Sequence, residues 1–216
     1  HELGPIAKLL DINRGNRIMT VSSFASKSAG LSEYIKTRVD ATDEMKAANF
    51  AQGDIITTVL TCARGETILL RLDTTLPRSY SRDFTVRGTK GLYMQDTNSV
   101  FLDGDEESFE PVEYYKKALN NAVKFEDEYL PGIWKNVTEE TLKAGHGGMD
   151  WFAYMGFTGA LINGEEMPVD VYDAATWQAV AVLSEMSIKQ GGAPQIMPDF
   201  TNGKWFKRPR KDVCRL

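Results

Sequence analysis

The chain has 216 residues, 42% hydrophobic and 25% charged, with 18 glycines, 8 prolines and a formal net charge of −5. That length supports one sizeable core, or at most two small ones, and the composition is that of a globular domain. The acidic balance argues against a nucleic-acid-binding face, which needs clustered Lys and Arg. No apolar run reaches the roughly 18–20 residues of a membrane span.

Only Lys204 to Arg215 is locally basic, and it reads as a solvated terminus. Cys62 and Cys214 are too few for a disulfide framework and, with histidines only at positions 1 and 146, show no zinc spacing. The acidic run Asp103-Gly104-Asp105-Glu106-Glu107 lacks the glycine and closing glutamate of a calcium loop, so no metal is expected. The chain opens at His1 without a methionine, so no signal peptide is read, and the start looks like an interior point of a longer polypeptide.

Gly4-Pro5 followed by Ile6, Leu9 and Leu10 predicts a short helix, stopped by Asn13-Arg14-Gly15-Asn16. Arg17 to Phe24 reads as a strand, Leu31 to Arg38 as a short helix, and the segment from there through Gln52 as a polar loop. Ile55 to Cys62 is rich in β-branched residues, and Arg64-Gly65 is a turn. Thr67 to Asp73 then alternates, with Ile68, Leu70 and Leu72 on one face and Thr67, Arg71 and Asp73 on the other. The next strand places Phe84 and Val86 inward and Ser81, Asp83, Thr85 and Arg87 outward. Gly88-Thr89-Lys90-Gly91 turns into Leu92 to Gln95, which predicts an antiparallel meander with one buried and one polar face.

The second half reads as helical. Pro111 to Tyr129 and Ile133 to Lys143 are charged amphipathic stretches. Gly148 to Leu161 carries almost no charge beyond Asp150 and is expected to be a buried helix. Tyr172 to Lys189 is predicted to start at a capping box of Asp170 and Asp173 and to stop at Gly191. Its core stripe is read as Tyr172, Ala175, Ala179, Val182, Leu183 and Met186. Strands first and helices later imply an α+β fold, a mainly antiparallel open sheet with helices packed on one face. Residues 1–216 are taken as a single domain.

Two stretches are candidates for chemistry. Pro77-Arg78-Ser79-Tyr80-Ser81-Arg82 lies between strands, where a sheet could present Tyr80 for proton relay and an arginine for a hydroxyl or anion. The same residues also fit a Tyr80 packed at a sheet edge beside solvated arginines. Gly145-His146-Gly147-Gly148 precedes the apolar helix. His146 either meets a ligand near the helix start, with Asp150 as orienting carboxylate, or simply caps the helix. Trp134, Trp151, Trp177 and Trp205 could stack on a sugar, but at helical positions read more simply as core. There is no G-x-S-x-G elbow, no P-loop, and no G-x-G-x-x-G after a strand.

In combination, these motifs resemble a known family. His1-Glu2-Leu3-Gly4-Pro5, Ile12-Asn13-Arg14-Gly15, Leu76 to Arg82, Gly88-Thr89-Lys90-Gly91 and His146 to Asp150 follow the order seen in family-109 glycoside hydrolases. So do Val171-Tyr172-Asp173-Ala174-Ala175 and Leu183-Ser184-Glu185. These are NAD-dependent α-N-acetylgalactosaminidases of the Gfo/Idh/MocA oxidoreductase superfamily, and the resemblance covers almost the whole chain. It implies a carboxy-terminal, substrate-binding and oligomerisation domain whose amino-terminal Rossmann domain, with its glycine loop, is absent from this chain.

The chemistry so implied is oxidation of the sugar at C3 by NAD+, elimination of the aglycone after loss of the C2 proton, hydration and re-reduction, unlike two-carboxylate hydrolysis. By the same resemblance His1, Tyr80 and His146 line the sugar site as catalytic residues. Arg78, Asp73 and Asp150 are substrate-binding candidates. NAD is expected in the intact protein but not on this chain alone, which is expected to be inactive. Expected partners are the sugar, the chain's own NAD domain and further copies in a homo-oligomer. The family is bacterial and many members look exported. The competing readings are a sugar dehydrogenase that keeps the hydride on its cofactor, and a non-catalytic sugar-binding or dimerisation module.

Overall fold

The computed structural model describes residues 2–105 and 111–211. His1, Glu106, Glu107, Cys214 and the end of the basic tail lie outside the described residues. The first half contains α1 (Leu3–Leu9), β1 (Ile18–Ala25), α2 (Gly30–Lys36), α3 (Asp43–Ala47), β2 (Ile55–Cys62) and β3 (Thr67–Asp73). Next come β4 (Thr85–Arg87), β5 (Gly91–Met94), β6 (Ser99–Leu102) and α4 (Pro111–Ala118). Short helices α5 (Glu126–Tyr129), α6 (Gly132–Lys135) and α7 (Glu139–Lys143) precede α8 (Met149–Asn163), α9 (Val171–Lys189) and β7 (Gln195–Ile196). The fold is α+β with antiparallel sheets, as the sequence implies. It divides into two compact units, residues 2–78 with 157–211, and residues 79–156.

The first unit is an antiparallel sheet in the order β3-β2-β1-β7 with α9 on one face. Register places Val21 opposite Leu60 and Ser23 opposite Thr58, while Leu60 and Thr58 face Ile68 and Leu70 of β3. Those positions share the covered face, because side chains alternate along a strand. The core joins Val21, Leu60 and Ile68 to Ala7 and Ile12 from the α1 region and to Val180 and Leu183 of α9. Each such side chain contributes about 1.5–3 kcal/mol on leaving water.

α9 is rotated relative to the sequence-predicted stripe. Its buried face is Asp173, Thr176, Val180, Leu183, Ser184 and Ser187, whereas Val182 and Met186 are exposed. Polar residues turn inward because the facing elements offer them partners. Ser187 Oγ accepts the Ser23 amide at 2.9 Å, and Ser23 Oγ bonds Thr58 Oγ1 at 2.7 Å. The predicted capping box is present: Asp170 accepts from the Tyr172 and Asp173 amides, and Asp173 accepts from the Asp170 amide.

Beneath that cap lies a buried ion cluster. Arg14 donates to both Asp173 oxygens at 2.8 and 3.0 Å, and to Asp170 at 3.1 Å. Lys8 Nζ adds a contact to Asp173 at 3.2 Å. Burial opposes the Asp173 charge, but the Arg14 hydrogen bond and the Lys8 charge outweigh it and hold its carboxyl below the usual range. Burial likewise lowers the Lys8 ammonium, with Asp173 working against it. Asn16, fully buried, accepts from the Arg17 and Arg64 amides and donates to Leu10 O and Glu66. The Ile12–Gly15 motif is thus a staple between α1, β1 and the start of α9.

The second unit carries a three-stranded meander, β4-β5-β6, separate from the first sheet. The continuous meander expected from the alternation therefore breaks after β3. The strand expected from Ser81 shrinks to Thr85–Arg87, because Ser81 bonds Asp96 and Asp83 takes a positive φ of 49°. β6, β7 and α3 were not anticipated; Thr42 caps α3 by accepting the Met45 amide.

The helix expected over residues 111–129 is interrupted at Asn120, φ 59°. There Asn121 bonds both backbone groups of Val100, at 2.6 and 2.7 Å. Those side-chain bonds compete with helix continuation. Residues 133–143 likewise split into α6 and α7, with Thr138 capping α7. α8, whose first half belongs to this unit, was expected to be buried. Only Ala160 is, while Trp151, Tyr154, Phe157, Leu161 and Ile162 are exposed. Apolarity states that a helix avoids water, not which element covers it. Of the tryptophans, Trp177 packs against the core, and Trp134 meets Phe152 with ring centroids 4.8 Å apart.

Candidate active site

The loop before α8 is built from four successive residues with positive φ: Gly145 (87°), His146 (44°), Gly147 (66°) and Gly148 (92°). Three are glycine, which adopts this region freely; His146 is the exception, and such outliers concentrate at functional sites. The compact path lets His146 Nδ1 sit 2.8 Å from Asp150 Oδ2 in the first turn of α8. A Cβ on Gly145 would lie 2.4 Å from that same oxygen, so the glycine makes the pairing possible.

Carboxylate pairing favours the tautomer with hydrogen on Nδ1, which leaves the Nε2 lone pair free to accept a proton. Side-chain exposure is 74% for His146 and 60% for Asp150. An exposed pair of this kind contributes little to stability.

Tyr80 is 84% exposed, so it does not pack at a sheet edge. Its hydroxyl accepts from Arg82 Nε at 3.3 Å. Ser81 pins the segment, bonding Asp96 at 2.6 Å and accepting the Asp83 amide at 2.7 Å. Asp73 ends β3, and Arg78 Nη1 lies 3.7 Å from its Oδ1 and 3.1 Å from Leu76 O. Asp73 Oδ1 is shielded from solvent and makes no hydrogen bond, so the arginine charge is its compensation.

The structure therefore joins the sequence candidates as local pairs: His146 with Asp150, and Asp73 with Arg78. Tyr80 pairs instead with Arg82. Tyr80, His146 and Asp150 belong to the second unit and Asp73 and Arg78 to the first. Asp96 was missed, because nothing in sequence spacing signals a tie across a β-hairpin. Arg82 stood in the quoted motif without a role.

No three His, Cys, Asp or Glu side chains cluster as a metal site among the described residues. Nor do the described residues contain the strand–glycine loop–helix unit that cradles a dinucleotide, since Gly145–Gly148 follows a helix. They do not by themselves fit NAD.

The fold so defined is an α+β domain of antiparallel sheets with helices. The family model "Glycosyl hydrolase 109, C-terminal domain" matches residues 1–207. The chain belongs to that family. It is 43% identical over 209 residues to a "Glycosyl hydrolase family 109 protein" of Stenotrophomonas maltophilia, covering 96% of this chain and 44% of the relative. An "Alpha-N-acetylgalactosaminidase" of Tannerella forsythia is 38% identical over 96% of this chain and 43% of its own length. Another protein of that name, from Shewanella oneidensis, is 34% identical over 95% and 44% respectively. The chain thus spans less than half the length of these curated relatives.

Proposed function

We propose that this chain is the substrate-binding half of an NAD-dependent glycosidase acting on N-acetylgalactosaminides. The observation that carries the proposal is the family match over residues 1–207, in a chain that also holds an exposed imidazole fixed by a carboxylate. Two relatives bear the name α-N-acetylgalactosaminidase.

In this reading His146 Nε2 takes or returns a proton at the sugar, and Asp150 holds the ring through Nδ1. The Tyr80 phenol, its oxygen held by Arg82, is a second proton-transfer or hydroxyl-binding group. Arg78 donates to sugar oxygens, and Asp73 accepts from sugar hydroxyls. His1 keeps the catalytic place that the family resemblance gives it. NAD, when bound, supplies hydride acceptance from the sugar. By the family resemblance it is held by an amino-terminal dinucleotide-binding domain. The face of the first sheet opposite α9, with Phe24, Leu69 and Ile196 exposed, supports assembly with a second copy.

The test uses the full-length polypeptide with NAD and an N-acetyl-α-galactosaminide. Aglycone release without net NADH is the expected result. Stoichiometric NADH means a sugar dehydrogenase instead, and inert substrate means a non-catalytic module. The present chain alone is expected neither to bind NAD nor to cleave the glycoside.

A further inference from the structure

The first unit holds a further cavity, beside the Asp73–Arg78 pair. It has a volume of about 610 Å³ and opens between α2 and the segment that leaves β3, within the 300–1,000 Å³ or so of small-molecule sites. Glu33 and Tyr34 form one wall; Thr74, Thr75, Leu76 and Pro77 form the other.

The two walls are fixed to each other by one buried carboxylate. Asp54, 5% exposed, accepts from the Ala29 amide at 3.0 Å, the Gly30 amide at 2.8 Å and the Thr75 hydroxyl at 3.0 Å. Burial opposes its charge, but these three donors hold its carboxyl below the usual range. Gly30 lets the walls approach: a Cβ there would meet Leu76 Cδ2 at 2.9 Å and Thr75 O at 3.0 Å. The cleft is therefore preorganised rather than a gap between loosely placed segments.

Its chemistry suits a saccharide ring. Tyr34 is 54% exposed, with Arg38 Cζ over its ring at 5.4 Å from the centroid. An aromatic face takes the apolar C–H face of a pyranose, while the Glu33 carboxylate and the threonine hydroxyls take ring hydroxyls. The cavity also adjoins proposed site residues along the chain. Thr74 follows Asp73 directly, and Arg78, next after Pro77, donates to Leu76 O at 3.1 Å.

We propose that this cavity is the aglycone subsite, receiving the saccharide from which N-acetylgalactosamine is cleaved. The assignment rests on the glycosidase reading above, and Tyr34 is its specificity-determining residue. The test compares two glycosides with the full-length enzyme: methyl N-acetyl-α-galactosaminide, whose aglycone is one carbon, and N-acetyl-α-galactosaminyl-galactose.

For Tyr34→Ala, kcat/KM on the disaccharide falls roughly three- to tenfold while the methyl glycoside is unaffected. Tyr34→Phe, which keeps the ring face, restores most of the loss. An unchanged disaccharide value, or an equal fall on both substrates, overturns the assignment while leaving the glycosidase reading intact. Cleavage of neither glycoside by the unaltered enzyme overturns both.

Discussion

The ion cluster under the start of α9 gives the sharpest quantitative expectation. Asp173→Asn keeps the shape of the side chain and removes its charge. Arg14 and Asp173 have side chains only 4% and 3% exposed, and Asp173 carries two Arg14 bonds plus the Lys8 contact. Breaking a buried pair by neutralising one partner costs about 3–5 kcal/mol, because the other charge stays buried without compensation. Asp170 remains 3.1 Å from Arg14 and is more exposed, so the lower end, about 3 kcal/mol, is expected.

With a urea dependence of about 2 kcal/mol per molar, the unfolding midpoint of the variant drops by about 1.5 M, measured by circular dichroism. The pH dependence follows from the direction of the shift. A carboxyl held below its unfolded value stabilises the fold above that unfolded value, near 4, and the contribution fades as pH falls through the folded value. The gap between wild type and Asp173→Asn is therefore full at pH 7 and narrows in acid below pH 4. A loss under 1 kcal/mol at pH 7, or a gap independent of pH, would refute the account of Arg14 as a buried cation that depends on Asp173.

Three further outcomes are expected. In the full-length polypeptide Asp150→Asn lowers kcat about 10²-fold or more, since on the proposed function it disturbs the His146 tautomer, and a KM that rises as well marks the sugar contact also expected of Asp150; steady-state kinetics on the methyl glycoside decide this. Gly145→Ala destabilises by about 1–2 kcal/mol in thermal or urea unfolding, because its Cβ strains a φ of 87° and meets the Asp150 carboxylate. Burial, with the charge of Glu66, pushes the Cys62 thiol up to about 11. In a Cys214→Ser background at pH 8, only about one molecule in a thousand is then thiolate, so disulfide-exchange reagents label Cys62 at the rate of unfolding rather than on mixing.

Local signals read well where a side chain's partner is near in sequence. The Asp170–Asp173 capping box, the Arg64-Gly65 turn, β2 and β3 are all decided by residues within a few positions of one another. Long-range polar pairing was not legible. The buried face of α9 follows Ser23 and Thr58 on the sheet and Arg14 near α1, so hydrophobic periodicity alone turned the helix toward Val182 and Met186. Pro111 to Tyr129 has helical composition throughout, yet Asn120 and Asn121 bond the β6 region and break it.

The candidate site was legible as residue types, because His146 and Asp150 stand four apart at a helix start and Tyr80 lies in a motif between strands. The Asp54-tied cavity was not, since its walls come from residues 29–34 and 74–77 with no shared pattern.

The first unit is assembled from two separated stretches of the polypeptide, with the second unit spliced between them. The Ser23 amide waits for a hydroxyl 164 positions later. At about 5–20 residues per second the ribosome needs roughly ten to thirty seconds to deliver it. Throughout that interval Val21 has no helical roof, while for about its second half everything needed for the β4-β5-β6 hairpins is already made. Synthesis therefore favours maturation from the inside outward, and a nascent chain halted before α9 is a species that chaperones must hold.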